Sequence, residues 1–300
     1  MLPRIFTAMI TPFNTAGEID YEEAATMAAW LVAHGSGGII LSGTTGESPA
    51  LTDRERMDLL RAVREGVGRS VPLWMGTGTN NTRHSRELSW QAAEGGADGV
   101  LLVCPYYNKP PQEGLIRHFV EIASGLPVPA MLYNIPGRTG VNLLPATART
   151  IIQECPNVVA IKEAAGSLPQ MQELINLVSP ATYVYAGDDA MYFTALTLGA
   201  HGVVSVASHL VGPAIEGMTQ AVNQGNLQEG RRINATLMPL FQELFRHTNP
   251  ISVKWAMNYL GFHAGDVRLP LATPGDPRAF EELRALVDQL VPQATWPRAS

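Results

Sequence analysis

Val158-Val-Ala-Ile-Lys-Glu-Ala164 is a short apolar run that ends in a lysine, an acid and small residues, and a helical pattern follows it from Ser167. A run of this length without polar alternation reads as a strand buried on both faces. The same strand, loop and amphipathic helix recur on either side. Strands are expected at Ile5–Ile10, Gly38–Leu41, Val71–Met75, Gly99–Val103 and Val128–Tyr133 before it, and at Thr182–Ala186 and Gly202–Val206 after it. The first helix opens at Asp20, with Glu23 reaching back to complete the cap, and sets Ala24, Met27, Ala28, Leu31 and Val32 on one face. Thr52 and Glu55 form a second capping box. Further helices are expected over Arg83–Glu94 and from Gln112, about Leu144, Ser167, Asp189 and about Val211.

Eight such units predict an α/β fold, a closed (β/α)8 barrel of the TIM type over residues 1–224. An open doubly wound sheet would want a G-x-G-x-x-G turn after a strand, and none occurs. Beyond Gln224 the strand pattern stops. Helical patterns cover Leu227–Arg246, Val253–Leu260 and Pro277–Leu290, so residues 225–300 read as a C-terminal helical extension that packs on the barrel or builds an oligomer interface.

With 300 residues, 46% of them hydrophobic, the chain can bury a large core. A net charge of -6 without basic runs argues against a nucleic-acid footprint. Cys104 and Cys155 have no CxxC or Cys/His spacing and read as buried reduced thiols, with no metal site expected. No run approaches the ~18 apolar residues of a membrane span and no leader pattern precedes Ile5, so a cytoplasmic protein without a membrane partner is expected.

In barrels of this kind the carboxyl ends of the strands carry the site. Lys162 stands there in a chain whose other lysines are only Lys109 and Lys254. A guanidinium stays charged, whereas an amine against apolar walls can lose its proton and attack a carbonyl. Condensed with a 2-oxo acid, it would make the imine itself the electron sink, and no cofactor would be needed. Gly43-Thr-Thr-Gly46 offers backbone N–H groups and two hydroxyls to a carboxylate, although a plain capped glycine turn reads equally well. Tyr133, one strand over, and Thr44 are candidates for proton transfer, against the commoner fate of a tyrosine as a rim side chain with its ring in the core. Arg138 could fork onto a second carboxylate or simply salt-bridge at the surface.

Thr11-Pro12-Phe13, Gly43-Thr-Thr-Gly-Glu47, Tyr106-Tyr-Asn-Lys-Pro110, Tyr133-Asn-Ile-Pro-Gly-Arg-Thr-Gly140, Ile161-Lys-Glu-Ala164, Gly187-Asp-Asp189 and Gly202-Val-Val-Ser-Val206 together resemble the dihydrodipicolinate synthase/N-acetylneuraminate lyase family. The likeness extends to Val253-Lys-Trp-Ala256. It implies that Lys162 forms an imine with pyruvate, Thr45 holds the pyruvate carboxylate, and Gly187 and Val204 line the pocket. It implies a proton relay of Tyr133, Thr44 and Tyr107, the last reaching into a neighbouring subunit's site. Arg138 fits the synthase branch, where it binds L-aspartate 4-semialdehyde. The implied reaction is condensation of the two substrates to 4-hydroxy-tetrahydrodipicolinate, the entry step of lysine and diaminopimelate biosynthesis, in a homotetramer built as a dimer of dimers. Roles for Glu163 and Asp188 beyond shaping the rim stay open.

Some members of that family are inhibited by L-lysine in a cleft at the dimer interface. Ser48, Asn80 and Tyr106 match that cleft, but Asp53, Arg56 and His84 stand where lysine-inhibited relatives have two histidines and a glutamate. Losing the carboxylate and adding a like charge against an ammonium predicts weak or absent inhibition. The alternative readings are another pyruvate-dependent aldolase of the same family, acting on N-acetylneuraminate or a 2-keto-3-deoxy sugar acid, and a non-catalytic metabolite-binding protein.

Overall fold

The computed structural model describes residues 1–292; residues 293–300 of the expected extension lie outside them. Eight parallel strands follow one another around a closed barrel in chain order. They are β1 (Ile5–Ala8), β2 (Gly38–Leu41), β3 (Leu73–Gly76), β4 (Gly99–Val103), β5 (Ala130–Asn134), β6 (Val158–Glu163), β7 (Tyr183–Ala186) and β8 (Gly202–Ser205). The TIM-type fold expected from the eight repeated units is the one observed. Contacts group the chain into two compact units, one made of Met1–Arg4 with Pro72–Val204, the other of Ile5–Val71 with Ser205–Ser300.

The second unit holds β1 and β2, paired with Thr7 opposite Ile39, and the helices α1 (Tyr21–Ala33) and α2 (Asp53–Val67). The Thr52/Glu55 capping box on α2 is present in full. At α1 only half of the expected box forms: Asp20 accepts from the Glu23 N–H, whereas the Glu23 carboxylate turns away to accept from the His263 N–H at 2.6 Å. Strand β1 stops at Ala8 rather than Ile10, because the Ile10 N–H leaves the ladder for His209 Nε2 at 3.2 Å. The other ring nitrogen of His209 lies 2.8 Å from the Val206 carbonyl. Burial holds this imidazole down to about 4, so it stays neutral, with Nε2 accepting and Nδ1–H donating.

In the first unit the helices are α3 (Thr82–Glu94), α4 (Gln112–Ala123), a four-residue turn α5 (Pro136–Thr139), α6 (Pro145–Glu154), α7 (Leu168–Val178) and α8 (Asp189–Thr197). Strand β3 begins two residues later than expected. Pro72 has no N–H to give a ladder, and Leu73 is the first residue to bond its neighbour, through Asp98 Oδ2 at 2.8 Å. Strand β6 takes in Lys162 and Glu163, each in register with a residue of β5.

The remaining helices, α9 (Ser208–Asn223), α10 (Leu227–Glu243), α11 (Ile251–Tyr259) and α12 (Glu281–Leu290), belong to the second unit. Helix α9 starts at Ser208 rather than Val211, where the backbone kinks out of helical geometry two residues ahead of Pro213. Both cysteines are free and buried. Among the described residues no helix is long and apolar enough to cross a membrane.

Candidate active site

Lys162 and Tyr133 face each other in register on β6 and β5. The Lys162 side chain is almost fully enclosed, with 5% of the residue exposed, and Nζ lies over the Tyr133 ring, 4.2 Å from its centre. The electron-rich face of the tyrosine is the surface on which the amine rests. Gly187, after β7, makes room for this arrangement. A Cβ there would meet Ala164 Cβ at 2.7 Å and the Lys162 side chain at 3.1 Å. Val204 of β8 is buried.

Behind this pair the next residues of the same strands, Asn134 and Glu163, are tied together. The Asn134 amide donates to both Glu163 oxygens at 3.2 and 3.1 Å. Glu163 also accepts from the Ala165 N–H at 2.7 Å and from Gln170 at 3.2 Å, and Asn142 bridges Asn134 and Gln170. Burial raises the Glu163 carboxyl above its usual range, and the amide donors oppose that rise. The network fastens the ends of β5 and β6, which fixes the backbone from which Tyr133 and Lys162 project. Cys104 lies near it with its thiol pushed up to about 12 by burial and the Glu163 charge, which leaves it protonated and poorly nucleophilic. Asp188 is an N-cap: it accepts from the Ala190 N–H at 2.9 Å at the start of α8.

Arg138 is exposed on the α5 turn. Thr139 stitches that turn through Oγ1 to the Val141 carbonyl at 2.9 Å, and Gly140 closes it with φ of 74°, a value that suits glycine. No acidic residue pairs with Arg138 among the described residues. Tyr107 does not join Lys162 and Tyr133. It is 89% exposed and sits in the left-handed region at φ of 73°, an uncommon conformation for a bulky residue that neighbouring bonds must hold. Asn108 supplies them, with its N–H on the Tyr106 carbonyl and its amide on the Asn80 carbonyl, both at 2.9 Å.

In the second unit, the Gly43–Glu47 turn is fixed from several sides. The Glu47 N–H returns to the Thr44 carbonyl and the Ser48 N–H to the Gly43 carbonyl. Thr11 donates to the Gly46 carbonyl at 2.8 Å. A Cβ on Gly46 would come within 2.9 Å of the Ser42 nitrogen, so only glycine fits. Thr44 is half-buried; Thr45 is buried and accepts from the Asn249 amide at 2.9 Å. Glu47 holds φ of 56° and is the centre of a buried ion pair. Lys254 Nζ donates to one oxygen at 2.7 Å and the Arg268 N–H to the other at 2.8 Å, while Lys254 also lies over the Phe13 ring. Burial pulls Lys254 down to about 8, with the Glu47 charge opposing that fall.

Sequence reasoning singled out none of Asn134, Glu47, Lys254, Arg268 or Asn249 as site-supporting groups. The one available signal was two polar strand-end residues, Asn134 and Glu163, each following a candidate site residue on its strand. Of the candidate effector residues, Ser48 and Arg56 are joined, the buried guanidinium donating to the Ser48 carbonyl at 2.6 Å. Asn80, Tyr106 and His84 belong to the other unit, where Asn80 accepts from Asn108 and the His84 N–H is bonded to Asn81 Oδ1.

The sequence model of the "Dihydrodipicolinate synthetase family" matches residues 1–290. A 4-hydroxy-tetrahydrodipicolinate synthase of Heliobacterium modesticaldum is 51% identical over 285 residues, 95% of this chain and 94% of its own length. Among solved structures, a dihydrodipicolinate synthase from Cyanidioschyzon merolae with lysine bound superposes with a TM-score of 0.94 at 44% identity, over 97% of this chain and 99% of that one. A chloride-inhibited dihydrodipicolinate synthase from Acinetobacter baumannii, complexed with pyruvate, matches with a TM-score of 0.92 at 35% identity over 97% and 99%.

Proposed function

This chain belongs to the dihydrodipicolinate synthetase family, and on that footing we propose that it condenses pyruvate with L-aspartate 4-semialdehyde through an imine on Lys162. The observation that carries the reading is the enclosed Lys162 amine lying on the Tyr133 ring at the ends of adjacent strands. Lys162 Nζ adds to the C2 carbonyl of pyruvate, and the carbinolamine loses water to give the imine. Loss of a C3 proton gives the enamine, whose carbon bonds to the aldehyde carbon while the new alkoxide takes a proton. The amino group of the semialdehyde then displaces Lys162, closing the ring of 4-hydroxy-tetrahydrodipicolinate. One water is released overall. The covalent imine makes a separate cofactor unnecessary in this scheme.

In this reading Thr45 takes the pyruvate carboxylate, Gly187 and Val204 line the pocket, and Tyr133 and Thr44 pass protons. The exposed, strained Tyr107 completes the relay in the site of a second copy, within a homotetramer. Arg138, free of acidic partners among the described residues, forks onto the semialdehyde carboxylate. The experiment is pyruvate consumption against a panel of aldehydes including L-aspartate 4-semialdehyde and N-acetylmannosamine. Turnover should be confined to the semialdehyde and fall steeply in Arg138→Met; preference for N-acetylmannosamine would replace this reading with that of a sugar-acid lyase.

A further inference from the structure

Thr45 is held by a residue 204 positions away in the chain. The Asn249 amide donates to Thr45 Oγ1 at 2.9 Å, and both residues are buried, with 6% and 2% exposed. A threonine hydroxyl has one hydrogen to give and lone pairs to accept with. Accepting from Asn249 occupies a lone pair and leaves the hydrogen for another acceptor, so Thr45 is fixed as a donor. The rest of Asn249 is poorly satisfied: its carbonyl oxygen is buried without a hydrogen-bond partner among the described residues. A buried acceptor in that state weakens the folded protein, which an apolar side chain of similar size would avoid. Asn249 is therefore placed for what its amide does to Thr45 and not for stability.

The surroundings leave Thr45 little freedom to compensate. The turn that carries it is gripped two residues on by the Lys254 and Arg268 bonds to Glu47, and Lys254 belongs to α11, which begins just after Asn249. One C-terminal segment thus sets both the backbone of the turn and the direction of its hydroxyl.

We propose that Asn249 is a positioning residue that keeps the Thr45 hydroxyl pointed as a donor at the carboxylate of the 2-oxo acid, and so sets the affinity for that acid. The inference rests on the assignment of the pyruvate carboxylate to Thr45. Borohydride trapping of the full-length protein over a pyruvate series, with aldehyde absent, gives a half-saturating concentration for imine formation; kcat and Tm are read alongside. Asn249→Ala should raise the half-saturating pyruvate about tenfold, the scale of one hydrogen bond lost to a charged group. Its kcat at saturating pyruvate should stay within about twofold and its Tm should not fall. Asn249→Asp, which can only accept and takes the Thr45 hydrogen for itself, should raise it further. Asn249→Leu gives the same readout if the alanine variant does not fold. In the double variant T45V/N249A the shift should equal that of T45V alone, because the second residue acts through the first. Shifts that add, or an unchanged value for N249A and N249D beside a raised one for T45V, would overturn the role of Asn249 alone. An unchanged value for T45V would overturn the carboxylate assignment, and this inference with it.

Discussion

Lys162 Nζ lies 4.2 Å from the centre of the Tyr133 ring, and the two residues are paired across β5 and β6. The ring and the hydroxyl of Tyr133 have separable duties. Tyr133→Phe keeps the face on which the amine rests and removes the proton-transfer group. Turnover should fall by about 10²- to 10⁴-fold, the usual worth of a positioned acid or base, with Tm nearly unchanged. A rate within threefold of the parent would remove Tyr133 from the relay.

The Glu47–Lys254 pair is buried on both sides. Replacing Lys254 by Met strands a buried carboxylate whose other oxygen accepts from the Arg268 backbone N–H. Such a break costs about 3–5 kcal/mol, and urea unfolding should register it. Lys254→Met with Glu47→Leu should regain much of the loss; a single variant as stable as the parent would show that the charge is relieved in some other way.

Acid should destabilise the protein in a defined window. His118 and His209 are each held down to about 4 by burial, whereas an unfolded histidine titrates near 6.5. Between those values the unfolded chain binds more protons, so stability drops as pH drops through the window, by up to about 3 kcal/mol per histidine. Glu163, raised by burial, works in the opposite sense and offsets part of the fall. Denaturant unfolding between pH 7 and 4 should give a shallower slope for His209→Asn than for the parent. Equal slopes would contradict the buried neutral imidazole.

L-Lysine should inhibit weakly or not at all. In the cleft that the family resemblance implies, Arg56, buried with its guanidinium on the Ser48 carbonyl, would set a like charge against a lysine ammonium, and His84 would offer it no carboxylate. Half-inhibition at submillimolar lysine would contradict this.

How much of this could be read in advance differs from one group to the next. Strand order and the closeness of Lys162 to Tyr133 were legible because each buried strand is a short apolar run and sequential parallel strands are neighbours. Alternation along a strand also separates Tyr133 and Lys162 from Asn134 and Glu163, although nothing in the local pattern names Gln170 and Asn142 as their partners. The α5 turn is too short to have a period. Asn249, Lys254 and Arg268 are hidden from a local reading because they meet Thr45 and Glu47 across 204, 207 and 221 residues, and only Lys254 lies in a helix, the other two standing in the segments on either side of it. The reach of Glu23 is hidden from a local reading for a related reason: its partner, the His263 N–H, is 240 residues away.

The central claim is that one amine of this chain becomes covalently bound to pyruvate. Borohydride reduction in the presence of pyruvate, followed by digestion and mass spectrometry, tests it most directly, since Lys109, Lys162 and Lys254 are the chain's three lysines. The mass of a reduced pyruvyl group should appear on the peptide carrying Lys162 and vanish in Lys162→Arg, which should fold but not turn over. An adduct on Lys109 or Lys254 instead, no adduct at all, or near-normal turnover in Lys162→Arg would contradict it.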